Sequence, residues 1–103
     1  TSETCVVVTP ETVVRYVCRY DGVDEAQLKG PHRGKNITEP RQIAAYLIRE
    51  LTNYKLEDIG KYFNRDHGTI SHSIKKVRGL LSMKDPNTEN ILRDIRMNIE
   101  ANT

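Results

Sequence analysis

The stretch FNRDHGTISHSIKKV, residues 63–77, decides how the whole chain is read. Ile70, Ile74 and Val77, continued by Leu81, recur at the spacing of one helix face. Ahead of them stand four polar residues: Arg65, Asp66, His67 and Thr69. Just upstream, Leu56, Ile59 and Phe63 mark a short helix over 56–62, and Asn64-Arg65-Asp66 turns the chain. Two helices joined by a tight turn, the second with a polar start, form the pattern of a helix-turn-helix. In that motif the second helix enters the DNA major groove with its N-terminal residues leading. The chemistry at this tip suits base edges. An aspartate accepts from the cytosine amino group, a histidine donates or accepts, and a threonine methyl packs on a thymine methyl. Asp66 is equally a helix N-cap, and the two roles are compatible. Backbone N–H groups at the same helix start favour phosphate.

Outward from this pair, the other segments are helical too. Thr9 before Pro10 reads as an N-cap with proline in the first turn, opening a helix to about Tyr20 with Val13, Val14, Val17 and Cys18 on one face. Asp24 with Gln27 resembles a capping box for a short second helix ending at Gly30. Residues 30–38, GPHRGKNIT, read as a basic loop. A strong helix is expected over 39–53, where Ile43, Leu47 and Leu51 share a row. Asp85-Pro86-Asn87 reads as a break before a last helix over about 88–100. The expected fold is all-α: one compact helical domain of about six helices spanning 1–103, with its core at 9–99 and the helix-turn-helix at 56–81.

The bulk numbers narrow the function. The chain has 103 residues and a net charge of only +2, but the charge is unevenly placed. Residues 29–49 hold Lys29, Arg33, Lys35, Arg41 and Arg49 against Glu39 alone. Residues 61–78 hold Lys61, Arg65, Lys75, Lys76 and Arg78 against Asp66 alone. Brought together, these segments make a basic face that attracts phosphate. Arg33, on a loose loop, suits the minor groove, and Arg41 with Gln42 suits a phosphate. No apolar run reaches membrane-spanning length, and no basic-then-apolar leader appears. Cys5 and Cys18 form no paired motif and read as reduced thiols of a cytosolic protein. No paired-carboxylate, Cys/His or G-x-S-x-G arrangement points to an enzyme. His67 and His72 are five apart and do not share a face as a metal pair would.

The segment PRQIAAYLIRELTNYKLEDIGKYFNRDHGTISHSIKKV, residues 40–77, resembles the signature of the C-terminal DNA-binding domain of the bacterial replication initiator DnaA. RQIA, YL-REL, L--IG--F and RDH-T all stand in register with that family's pattern, and VTPETVVRYVCRYDGVDEAQLKGPHR resembles its first helices and basic loop. The resemblance covers roughly residues 9–99. It implies a Trp-repressor-like helix-turn-helix that binds duplex DNA at boxes of the type TTATNCACA. By position, Asp66, His67 and Thr69 match major-groove readers, and Gly68 occupies a reader position. Arg33 matches the minor-groove arginine, and Arg41 a phosphate-contacting one. Lys55, Leu56 and Lys76 fall where family members approach the backbone; Lys35, Arg65 and His72 complete the expected DNA-facing set. Four residues depart from the pattern. Gly68 stands for a threonine, which removes one thymine contact. Asn64 stands for a turn glycine, Lys55 for a capping serine and Glu57 for a residue that is often proline.

The family's full-length protein carries an ATPase module. This chain has no G-x-x-x-x-G-K-[ST] loop, so no cofactor is expected here, and ATP would belong to a separate module. A C-terminal portion of a longer initiator and a free-standing relative both remain open. So do a regulator with altered site preference and a domain that docks a regulatory protein. The expected state is a monomer of the isolated domain, cytoplasmic and nucleoid-associated, with no membrane partner.

Overall fold

A computed structural model describes residues 8–30 and 34–101, with the backbone alone at Lys35. Arg33 and Cys5 lie outside the described residues. Six helices follow in order: α1 Pro10–Asp21, α2 Glu25–Lys29, α3 Lys35–Leu51, α4 Leu56–Phe63, α5 His67–Ser82 and α6 Pro86–Ala101.

Local chemistry accounts for most of the boundaries. The Thr9 hydroxyl accepts from the Thr12 N–H at 3.2 Å, Pro10 takes the first helical position, and Gly22 closes α1 in the left-handed region at φ 70°. The Gln27 side-chain oxygen accepts from the Asp24 N–H at 2.9 Å at the start of α2. α3 ends at Leu51, two residues before the expected 53, and two helix starts differ from the sequence expectation. α3 begins at Lys35, so residues 35–38 belong to a helix and not to the loop assigned to 30–38. Gly34 opens that helix: its carbonyl accepts from the N–H groups of Ile37 at 2.9 Å and Thr38 at 2.8 Å. Ile37 is then buried in the core, a gain that Pro40, which lacks one helical N–H, does not cancel. α6 likewise begins at Pro86, because Asp85 is its cap: Thr88 N–H donates to Asp85 Oδ2 at 2.9 Å. The supposed break is a start signal, built as Thr9-Pro10 is built.

α3 is the central element. Ala44, Ala45, Leu47 and Ile48 on it are fully buried, and it packs against α1, α2, α4 and α5. α6 closes the other side against α1 and α5 through Leu92, Ile95 and Ile99. Val13, Val14 and Val17 place their side chains in this core from α1, and Cys18 is buried there as a free thiol. Among the described residues, no helix is long and apolar enough to cross a membrane.

Candidate nucleic-acid interface

The α4–α5 pair is set by a turn of three residues. Asn64 ends α4 in the left-handed region, at φ 57° and ψ 43°. Arg65 N–H then donates to Gly60 O at 2.8 Å. The backbones pass so close that a Cβ on Gly60 would lie 2.5 Å from Arg65 O. Only glycine fits there. Ile59 and Phe63 from α4 and Ile70, Ile74 and Val77 from α5 bury the inner faces of both helices. The angle between the helices is therefore fixed by packing, not by the turn alone.

That burial aims the opposite face of α5 at solvent. Asp66 caps the helix, its Oδ1 accepting from the Thr69 N–H at 2.9 Å. Hydrogen bonds from the Thr69 side chain and backbone hold its carboxyl below the ordinary value of 3.8, so it is an anion at neutral pH. His67, Gly68 and Thr69 are all exposed in the first turn. Gly68, His72 and Lys76 then follow one row at i, i+4 along the exposed side, with His72 and Lys76 exposed. Gly68 has nothing within 4 Å of a built Cβ, so the fold does not require glycine there. Lys76 also shares a cleft of about 270 Å³ with Gln42, which brings the middle of α3 beside this row.

At the start of α4, Lys55 and Glu57 are exposed and Leu56 is half-buried. A lysine has no acceptor with which to cap a helix. Asp58 makes the reciprocal contact instead, accepting from the Lys55 N–H at 3.4 Å.

Two arginines expected to face DNA are placed otherwise. Arg41 is 8 % exposed. Its Nε donates to Leu28 O at 2.8 Å, and one Nη reaches Gln27 O at 3.5 Å and Gly30 O at 3.4 Å. These are the open carbonyls at the end of the five-residue α2, which need donors. Burial, and then the charge of Arg65, push the Arg41 pKa below its ordinary value. Arg65 spends one Nη on Gly30 O at 2.7 Å and the other on Phe63 O at 3.3 Å and Asn64 O at 3.2 Å. The sequence singled out both residues as cations. Their carbonyl partners lie up to 35 positions away in the chain, beyond what local pattern reveals. The one available signal was the shortness of α2, whose carbonyls had to be satisfied by something.

Residues 10–77 match the family described as the bacterial dnaA protein helix-turn-helix. The chromosomal replication initiator protein DnaA of Deinococcus radiodurans is 36% identical over 89 residues, which covers 86% of this chain and 19% of that protein. Its namesake from Geobacter metallireducens is 47% identical over 76 residues, covering 73% and 17%. That of Thermus thermophilus is 39% identical over 88 residues, covering 84% and 20%. The chain thus spans about a fifth of the length of these relatives.

Proposed function

The chain belongs to the bacterial DnaA helix-turn-helix family, and from that premise we propose that it binds double-stranded DNA at boxes of the DnaA type, as the DNA-reading part of, or a relative of, a chromosomal replication initiator. The observation that carries the reading is the first turn of α5. Its inner neighbours Ile70 and Ile74 are buried while His67, Gly68 and Thr69 are all exposed. A packed helix that presents a polar N-terminal turn has the form of a major-groove reader.

In this mechanism α5 enters the major groove tip first. His67 and Thr69 contact base edges. Asp66 stays ionised and keeps its capping bond, leaving carboxylate lone pairs for a cytosine amino group. Lys76, His72 and Lys55 approach the phosphates, with Leu56 packing beside them and Lys35 adding charge. Arg33 enters the adjacent minor groove. The DNA is chromosomal and the setting the bacterial cytoplasm. The chain acts as a monomer on each box and uses no cofactor of its own.

Gly68 favours a second reading, in which the scaffold is kept and the preferred site has moved. A position with open space and no side chain imposes no demand on the base it faces. Fluorescence anisotropy separates the two. A labelled duplex carrying TTATCCACA and a scrambled duplex of equal composition are titrated at two salt concentrations. The box reading expects a preference for the box that persists at the higher salt. Equal, steeply salt-sensitive binding to both duplexes moves the specificity elsewhere. No duplex binding at either salt ends the proposal. Arg33→Ala is expected to weaken box binding by about 1–3 kcal/mol.

A further inference from the structure

The Gly30 carbonyl is the point where two guanidinium groups meet, one from α3 and one from the helix-turn-helix. Arg41 fixes the end of α2 to α3, through Leu28 O at 2.8 Å and Gly30 O at 3.4 Å. Arg65 fixes the turn of the helix-turn-helix to that same end of α2, at 2.7 Å. Its second Nη folds back on the last carbonyl of α4, Phe63 O, and on Asn64 O in the turn. The arginine therefore spans the turn and the body with its two arms. Asp66, the cap of the reading helix, is the next residue in the chain.

We propose that Arg65 is a positioning residue for DNA reading: it aims the first turn of α5 by tying the turn to the end of α2, and does not itself neutralise a phosphate. The proposal deepens the duplex-reading function given above and rests on it. Three physical points support it. First, both arms of the fork are committed. Both Nη atoms bond to backbone carbonyls, and a guanidinium so used is held in one orientation. Second, the turn needs the tie. Asn64 sits in the left-handed region and is exposed, and the local bond from Arg65 N–H to Gly60 O fixes only the α4 side. Third, reading bases demands placement to about half an ångström, and a tie from the turn to α2 supports the exposed first turn on the side away from the buried Ile70 and Ile74. The mutual repulsion of Arg41 and Arg65 is tolerated because carbonyl oxygens lie among the two groups.

The test is Arg65→Lys in the whole chain. Lysine keeps the charge but replaces a two-armed fork with a single ammonium, so it cannot bridge the turn and Gly30 as arginine does. Helical circular dichroism first establishes that the variant is folded. Without DNA, 15N relaxation order parameters of the amides of residues 66–69 are expected to fall relative to the parent chain. Unchanged order parameters overturn the proposal. With DNA, the ratio of affinities for the TTATCCACA duplex and its scrambled partner is expected to fall about tenfold. The slope of log K against log salt is expected to hold. Arg65→Ala distinguishes the rival role. A slope reduced by about 0.9 with the ratio intact marks a lost phosphate contact and overturns the proposal. A slope that holds while the ratio falls supports it. If the parent chain shows no box preference, the function proposed above fails, and the order parameters still decide the role of Arg65.

Discussion

Compare the starts of α5 and α6. The first reads Asp66-His67-Gly68-Thr69 and the second Asp85-Pro86-Asn87-Thr88. Both use the aspartate as an N-cap for the N–H of a threonine three residues on, each at 2.9 Å. Both follow closely on a non-glycine residue at φ 57°, Asn64 in one case and Lys84 in the other. Locally they are one device. What differs is the side chain behind the cap. Both threonine side chains hydrogen-bond to their cap, Thr88 donating its hydroxyl to Asp85 Oδ2 at 2.6 Å, but Thr88 is 7 % exposed whereas Thr69 is open to solvent. They also differ in how they are anchored. Both are held by near neighbours, Asp85 N–H donating to Leu80 O at 3.0 Å and Arg65 N–H to Gly60 O at 2.8 Å, but the start of α5 is also tied by the Arg65 side chain to Gly30. A cap explains Asp66 as a structural residue without requiring DNA. The case for a reader lies in exposure and in the distant tie.

Breaking the turn that precedes α5 should have the largest effect. Gly60→Ala drives a Cβ against the Arg65 carbonyl, and the clash is with backbone that cannot step aside. We expect a loss of roughly 3 kcal/mol in stability by urea denaturation. The turn before α6 contains no such approach, so Lys84→Ala should cost far less. Next in size is His67→Ala, which should reduce discrimination between box and scrambled duplexes by about 1–3 kcal/mol with the melting temperature nearly unchanged. Equal weakening on both duplexes would make His67 a non-specific contact.

The two threonines sharpen the contrast. Thr88→Ala removes a buried hydroxyl bond and should cost about 1 kcal/mol in stability, leaving DNA affinity as it was. Thr69→Ala should do the reverse, lowering box preference with little change in melting. Similar melting losses for both would mean that exposure is not what separates the two starts.

Acid should act on the two caps alike. Threonine hydrogen bonds hold both carboxyls below 3.8. Their stabilisation is therefore complete above the unfolded value and is lost as pH falls through the lower folded value. Melting temperature followed from pH 5 down to 2 should decline less in Asp66→Asn and in Asp85→Asn than in the parent chain. The smallest change expected is Gly68→Ala. Its Cβ meets open space, so in the first turn of α5 we expect a gain below the roughly 1 kcal/mol that helix propensity gives in a helix interior. Gly68→Thr should add box preference without loss of stability.

The helices were legible where a periodic apolar face coincided with a cap. α1 is the plainest case, with Thr9-Pro10 before it and valines at helical spacing within it. The start of α6 carries the same signal, but Asp-Pro also punctuates chains, and pattern alone does not separate a break from a cap followed by a first-turn proline. The start of α3 was hidden differently. Glycine and asparagine are poor helix formers, and burial of Ile37 overrides them. Of the candidate site, the exposed turn at 67–69 followed from pattern, because the inward phase of Ile70 and Ile74 leaves the other face outward. Arg41 and Arg65 did not. Sequence shows that a residue is a cation, not which oxygens surround it.

Residue order therefore carried the number of helices, the pairing of α4 with α5 across a tight turn, and the polar tip, since each depends on interactions among residues a few positions apart. Packing assigned the work of the arginines. A carbonyl left open at the end of α2 is a local fact, but the donor that reaches it comes from another helix or from a turn 35 residues on. Which arginines serve backbone carbonyls was decided by that long-range accounting of donors and acceptors.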